Sequence, residues 1–110
     1  METKHFFIGK EIQGKEVGEG VNRKVVSYND NLMVCEVTFK KGSVGTLHVH
    51  SHEQCTYVIS GVFEFTIGEE KQIVRTGDSL YMDSNIIHGA VCLEDGVLLD
   101  IFTPCRKDFI

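Results

Sequence analysis

The sequence lacks an excess of basic residues. Its 110 residues include 16 acidic and 11 basic side chains, which gives a formal net charge of -5. Proteins that bind the phosphate backbone of nucleic acids present a basic surface, so this balance argues against nucleic acid as a partner. Small anionic molecules stay open as ligands, because one or two well-placed cations are enough to bind them.

Long apolar runs are also missing. No stretch approaches the length of a membrane-spanning helix, and the apolar run at residues 6–8 is too short for a signal peptide. No C-x-x-C pair of the kind used for zinc or redox chemistry occurs among the four cysteines, Cys35, Cys55, Cys92 and Cys105. We therefore expect a cytoplasmic protein without membrane contact, whose cysteines are reduced and buried as small apolar residues.

No segment shows the helical period of apolar residues. Short alternating stretches and turn-forming residues recur instead, which predicts an all-β sandwich or barrel. The clearest strand spans 32–40, and others are predicted at 23–28, 54–60, 62–67, 71–75, 79–82, 89–93 and 97–103, with a turn at 94–96. We expect one domain over residues 1–110, with an irregular arm at about 1–22, a short edge strand within it, and a barrel at 23–104.

Metal-binding side chains are concentrated between residues 48 and 54, which read His-Val-His-Ser-His-Glu-Gln. On an extended strand the side chains at i and i+2 share a face, so His48 and His50 can present their imidazoles to one point. A fourth histidine, His88, lies in a turn-rich segment far downstream. His52 is a competing ligand. An isolated H-x-H is a weak signal, because a histidine on a strand is often only a hydrogen-bonded structural residue.

The spacing around these histidines resembles the two motifs of the cupin superfamily. The first motif runs from Gly42 through the histidines and Gln54 to Gly61, and the second joins Gly77 to His88. The resemblance implies a double-stranded β-helix, or jelly-roll barrel. It also implies a divalent transition metal, namely Ni, Zn, Mn or Fe, inside the barrel on His48, His50, Gln54 and His88. The alternative is a relic site that binds no metal.

Moving the register to His50 and His52 would break the spacing to Gly42 and Gly61, so His52 is expected at the barrel mouth. Gln54 stands where most cupins have a glutamate, and Glu53 beside it should point to the opposite face of the strand. Because an amide is neutral, a divalent ion on these ligands keeps its full charge. This favours a Lewis-acid role over oxygen activation.

The strand at 97–103 is apolar except for Asp100. Aspartate is depleted in strands, and a buried carboxylate is costly without a partner. Alternation places Leu98, Asp100 and Phe102 on one face, and if that face lines the barrel, burial can raise the pKa of Asp100 into a range useful for proton transfer. Arg106 could then bind a substrate carboxylate. The alternative is a structural Asp100–Arg106 salt bridge with Phe102 in the core.

Three longer segments are similar to the KdgF-like family of pectin-degradation cupins, namely residues 29–33, 47–65 and 93–109. A glutamine as third metal ligand is also that family's pattern. The resemblance implies conversion of 4,5-unsaturated uronate monosaccharides, released by pectin and alginate lyases, to the linear 5-keto-4-deoxyuronate. It places the family's catalytic residues on Asp100, Phe102 and Arg106. Resemblance to small cupins further implies a homodimer acting on a small anionic sugar.

Two other classes of function stay open at this stage. One is a cupin oxygenase or a different sugar isomerase, because this fold hosts many chemistries. The other is a non-catalytic sugar-binding or sensing cupin. The choice between pectin-derived and alginate-derived substrates, the identity of the metal and any contribution of His52 or Glu53 to the site are likewise open.

Overall fold

A computed structural model describes residues 3–110, and almost all of its regular structure is β-strand. The eight strands are β1 Lys15–Gly18, β2 Val21–Tyr28, β3 Met33–Phe39, β4 Val44–His48, β5 Glu53–Ile67, β6 Glu70–Arg75, β7 Ser79–Met82 and β8 His88–Thr103. Two short 3-10 turns lie at Gly9–Glu11 and Lys107–Phe109. The all-β prediction is confirmed. In the described part of the chain no helix has the length and apolar character needed to cross a membrane.

The strands form one antiparallel sheet in the order β1-β2-β3-β8-β5-β6, with β4 paired to β8 and β7 paired to β5. β5 and β8 are the longest strands, and they pair from Glu53 opposite Thr103 to Ile67 opposite His88. β3 and β4 pair with β8, β6 and β7 pair with β5, and β2 and β1 continue the sheet beyond β3. This long pairing forms the wall from which the site is built.

Alternation explains the packed core. On β3 the side chains of Met33, Cys35, Val37 and Phe39 are buried, while the residues between them are exposed or half-buried, as the sequence predicts. The rings of Phe39 and Phe63 meet edge to face with centroids 5.2 Å apart, a favourable aromatic geometry. Aromatic side chains from β3 and β5 are therefore part of one continuous apolar core.

Two predicted breaks lie inside continuous strands. Gly61 was expected to end a strand and residues 94–96 to form a turn, but β5 and β8 run through both. Gly61 has a φ of +89°, and the register between the two strands shifts around it, so it forms a bulge rather than a stop. A Cβ on Gly61 would lie 2.5 Å from Cα of Gly96. Glycine is required here by this close approach of two backbones.

The cysteines are all free, but they do not share one environment. Cys35, Cys92 and Cys105 are buried, as expected, whereas Cys55 is exposed. The expectation of burial was wrong for Cys55 because it lies between Gln54 and Thr56, whose side chains take the inward face of β5.

Candidate metal centre

Three of the predicted ligands converge at one point. His48 ends β4, His88 begins β8, and the two are paired across these strands. His50 lies just beyond β4 rather than on an extended strand, yet its ring reaches the same place. One ligand atom from each of the three histidines lies within 4.8 Å of the others. Such a set of imidazoles can bind a transition metal.

The main chain fixes the orientation of all three rings. Nδ1 of His48 is 2.7 Å from the carbonyl oxygen of Thr46, Nδ1 of His88 is 3.0 Å from that of Ile86, and Nδ1 of His50 is 3.0 Å from that of His52. A carbonyl oxygen only accepts, so each Nδ1 carries the proton and donates it. Each Nε2 is then left with a free lone pair, which is the arrangement found in metal-binding histidines.

The environment also favours the neutral form of two of these imidazoles. Burial lowers the pKa of His88 to about 4, and burial likewise lowers the pKa of His50. Within the described residues, Nε2 of His88 is a buried nitrogen without a hydrogen-bond partner. A buried polar atom of this kind is costly unless something outside the chain satisfies it. A metal ion fits this position.

Gln54 supplies a further oxygen beside the histidines. Its side chain is buried, and its Oε1 lies 3.0 Å from Nε2 of His50. The amide nitrogen of Gln54 donates to Oγ1 of Thr56 at 2.9 Å, which orients Oε1 toward the histidines. With Nδ1 of His50 already donating, Oε1 and Nε2 are two acceptors facing each other. A shared cation satisfies both, so the donor set fits the metal that the sequence predicts.

Asp100 is linked to Gln54 through Thr56. Thr56 lies directly opposite Asp100 in the β5–β8 pairing, and its hydroxyl donates to Oδ1 of Asp100 at 2.7 Å. Burial raises the pKa of Asp100 to about 6, although hydrogen bonds from Thr56 and Gln54 act in the opposite direction. The carboxyl group therefore lies in the cavity beside the histidine cluster, and burial shifts its pKa toward neutral pH.

Arg106 does not form the salt bridge with Asp100 that the structural alternative requires. Its guanidinium pairs instead with Asp108, with Nε 3.1 Å from Oδ1 and Nη2 2.9 Å from Oδ2. It also lies over the ring of Phe102 at 5.3 Å from the centroid. Phe102 is buried, and its ring lies 5.8 Å from that of His50, so it is a wall of the site as well as a core residue.

These groups line a cavity of about 270 Å³ that opens at one end of the barrel. That volume is close to the lower limit of pockets that bind small molecules. The lining residues are Val17, Arg23, Val37, His48, Gln54, Asp100, Phe102, Arg106 and Phe109. All three predicted catalytic residues and two of the four predicted ligands thus face one space.

His52 and Glu53 lie outside the ligand cluster. The ring of His52 lies 6.5 Å from that of Phe102, beyond the three converging histidines. Glu53 is exposed and accepts a hydrogen bond of 2.5 Å from the Tyr81 hydroxyl on the outer face. Both positions agree with the spacing argument that assigned the ligand positions to His48 and His50.

Sequence reasoning missed Thr56 and Arg23. Thr56 is two residues after Gln54, so the alternation that places Gln54 inside also predicts an inward hydroxyl there. Arg23 follows Val21 at the same interval on β2, and that alternation predicts a charge on the inward face. Neither signal is specific, because threonine is common in strands and an arginine near a strand end is usually a surface residue.

Comparison with known proteins agrees with the fold. The family model described as "Cupin domain" matches residues 35–102. The pectin degradation protein KdgF of Dickeya dadantii (strain 3937) is 44% identical over 109 residues, which cover 97% of this chain and 99% of that protein.

Two solved structures are similar over nearly the whole chain. KdgF from Halomonas sp. is 39% identical with a TM-score of 0.93, covering 98% of this chain and 100% of that one. An RmlC-like cupin from Shewanella frigidimarina is 34% identical with a TM-score of 0.94, covering 98% and 97%. The chain therefore belongs to the cupin family, as a small single-domain member similar to KdgF.

Proposed function

We propose that this protein is an enzyme that opens the ring of 4,5-unsaturated uronate monosaccharides and yields the linear 5-keto-4-deoxyuronate. The observation that carries the proposal is the hydrogen-bonded series from Gln54 through Thr56 to Asp100, in which Oε1 of Gln54 also lies 3.0 Å from Nε2 of His50. It joins a metal-binding cluster to a carboxyl group whose pKa is raised to about 6. Such a pairing suits proton transfer on a bound carbonyl or enol. The similarity to pectin degradation proteins supports this class of substrate.

The reaction requires two changes that this cavity can promote. Opening of the cyclic hemiacetal breaks the bond between the anomeric carbon and the ring oxygen and leaves an enol at carbon 5. The enol then becomes a ketone when carbon 4 gains a proton and the oxygen on carbon 5 loses one. No atom is added or lost overall. A protein group that moves a proton next to the bound ring is therefore the central requirement.

The residues can be assigned roles on this basis. Asp100 carries the proton to carbon, because it is the carboxyl group that faces the cavity. Phe102 forms the apolar wall against which the sugar ring packs. Arg106 lies at the mouth and offers the N–H donors that Asp108 leaves free to the substrate carboxylate. His48, His50, Gln54 and His88 would hold a divalent metal, which when bound supplies Lewis-acid polarisation of substrate oxygens.

The test is direct incubation with unsaturated galacturonate, followed by ultraviolet absorbance and product mass. The expected result is loss of the alkene absorbance, faster than in a buffer control, at unchanged mass. An oxygenase would add the mass of oxygen, and a sugar-binding or sensing protein would change neither quantity. Either of these outcomes would contradict the proposal. The same assay with the product of an alginate lyase ranks the two substrate sources.

We also propose that two copies associate through the outer face of β5 and β7. Tyr57, Ile59 and Tyr81 are 44%, 44% and 53% exposed and lie on neighbouring strands of that face, with Cys55 opposite Tyr81. Exposed apolar residues grouped in this way are typical of a protein–protein interface. Light scattering should give the mass of a dimer, and Tyr57→Glu should shift it to that of a monomer. A cytoplasmic location and the identity of the metal stay predictions.

A further inference from the structure

Arg23 places a second guanidinium inside the cavity mouth. It lies on the inward face of β2, in alternation with the core residue Val21 and with Val25, which packs against the core. Its side chain lines the same cavity as Asp100 and His48. A charged residue at an inward strand position is costly unless it has a partner or a function there.

The guanidinium of Arg23 has no anionic partner in the part of the chain that the structure describes. Over residues 3–110 the ion pair at this mouth joins Arg106 to Asp108, and the side chain of Arg23 takes part in no hydrogen bond. Burial lowers the pKa of Arg23, yet an arginine stays charged at neutral pH. Its N–H donors are thus half-desolvated, charged and free.

Phe109 keeps this guanidinium in place. The guanidinium carbon of Arg23 lies 3.4 Å from the centroid of the Phe109 ring, and that of Arg106 lies 4.2 Å from the same centroid. Stacking on an aromatic ring holds a guanidinium by its face and leaves its N–H edge available for hydrogen bonds. Two cations are therefore held close together by one aromatic side chain, and Asp108 pairs with only one of them, Arg106.

We infer that Arg23 is a specificity-determining residue that binds the carboxylate of the substrate together with Arg106. Of the two guanidiniums at the mouth, it is the one with a complete set of free donors, while Arg106 already has two bonds to Asp108. A planar fork facing the cavity matches a carboxylate with two parallel hydrogen bonds. The inference rests on the proposed function for the identity of the substrate. The anion selectivity itself does not depend on turnover.

The first experiment separates binding from chemistry. Arg23→Gln should raise the KM for unsaturated galacturonate by about 10- to 100-fold, the loss expected for a charge-assisted pair. The kcat should change by less than about threefold, because the bond is made equally in the ground and transition states. Lys24→Gln is the matched control, since it removes one positive charge from the next position of β2, on the opposite face. It should leave both constants unchanged.

The second experiment needs no turnover. Titration of zinc-loaded protein with galacturonate and with galactose, observed by NMR, measures the preference for a sugar acid over the neutral sugar. The wild-type protein should prefer galacturonate, Arg23→Gln should lose that preference, and Lys24→Gln should keep it. Arg23→Lys retains the charge without the planar fork and should give an intermediate preference, which provides the test if the glutamine variant does not fold.

The outcomes are distinguishable. If Arg23→Gln or Arg23→Lys keeps the full wild-type preference, or if the wild-type protein shows none, the assignment of Arg23 is overturned. A wild-type protein that prefers galacturonate but leaves unsaturated galacturonate unchanged would refute the proposed function. The assignment of Arg23 would then still stand if the Arg23→Gln variant had lost the preference.

Discussion

The two halves of β5 carry different kinds of side chain on the same inward face, mostly polar in the first half and aromatic in the second. In the first half the buried side chains include Gln54 and Thr56, while in the second half they are Phe63 and Phe65. Gly61 and the register shift around it lie between the halves. Alternation places a side chain inside in both halves, but it does not decide whether that side chain is apolar.

The difference separates two ways of filling a barrel. Phe63 and Phe65 are held by packing, with ring centroids 6.3 Å apart, and their burial from water stabilises the fold. Gln54 and Thr56 are held by directed hydrogen bonds that also involve Asp100. A change at the apolar end should therefore reduce the free energy of unfolding, whereas a change at the polar end should mainly affect metal binding or turnover.

The largest effect is expected at His88. Replacement by alanine removes a ligand and should abolish stoichiometric metal, because ligand loss exceeds the roughly 10- to 100-fold cost of removing a supporting residue. Metal analysis of purified protein by mass spectrometry checks this. His52→Ala is the matched control and should retain metal, since His52 lies outside the cluster. Full metal content in His88→Ala would refute the ligand assignment.

Asp100→Asn should reduce turnover strongly while the barrel stays folded. A positioned general acid or base contributes about 10²- to 10⁴-fold to the rate, so kcat should fall by that factor with a much smaller change in KM. Asparagine is nearly the same size and can still accept the hydrogen bond from Thr56. Steady-state kinetics with metal content measured in parallel provide the test. Unchanged turnover would exclude Asp100 from proton transfer.

Phe63→Ala tests the apolar half. Phe63 is fully buried, so the substitution should lower the free energy of unfolding by about 3–5 kcal/mol through lost burial and a residual cavity. Urea denaturation measures it. Ile73→Ala, at a position 43% exposed on the paired strand β6, should cost only about 0.5 kcal/mol. Metal bound per folded molecule should stay the same in both variants. Metal loss in Phe63→Ala would contradict the separation of the apolar half from the metal site.

Thr56→Val is expected to have the smallest effect of the four. It tests whether the Thr56 hydroxyl orients the side chain of Gln54. Valine fills the same space without the hydroxyl, so Gln54 loses the acceptor that orients its amide. Metal affinity should fall by about 10- to 100-fold, as for other residues that support a ligand. Competition with a chelator measures that affinity. Thr56→Ser keeps the hydroxyl and should restore most of it, whereas equal loss in both variants would point to packing instead.

Much of the fold could be predicted from the sequence, because alternation and turn residues are local signals. β3 and β7 were predicted within one residue of their observed ends. The breaks expected at Gly61 and at 94–96 were wrong because a glycine that ends a strand and one that forms a bulge look alike in sequence. Only the approach of Gly61 to Gly96 distinguishes them, and that contact depends on strand pairing.

The metal ligands of the site could be predicted from the sequence, but the contacts of its two arginines could not. Spacing brought His48, His50, Gln54 and His88 together, and the structure places them in one cluster. The partner of Arg106 could not be predicted, because Asp108 reaches it only through the 3-10 turn at Lys107–Phe109. Arg23 and Phe109 are far apart in the chain, so no local pattern predicts that their side chains stack.

The backbone anchoring of the three imidazoles has a consequence for metal exchange. Each ring is oriented through its Nδ1 by a carbonyl oxygen two residues away, at Thr46, His52 or Ile86. The orientation of the three imidazoles is thus set by the main chain before any ion arrives. Chelation should empty it without unfolding, and one divalent ion should replace another rapidly and reversibly. Substitutions among the neighbouring side chains would leave the three rings aimed at the same point.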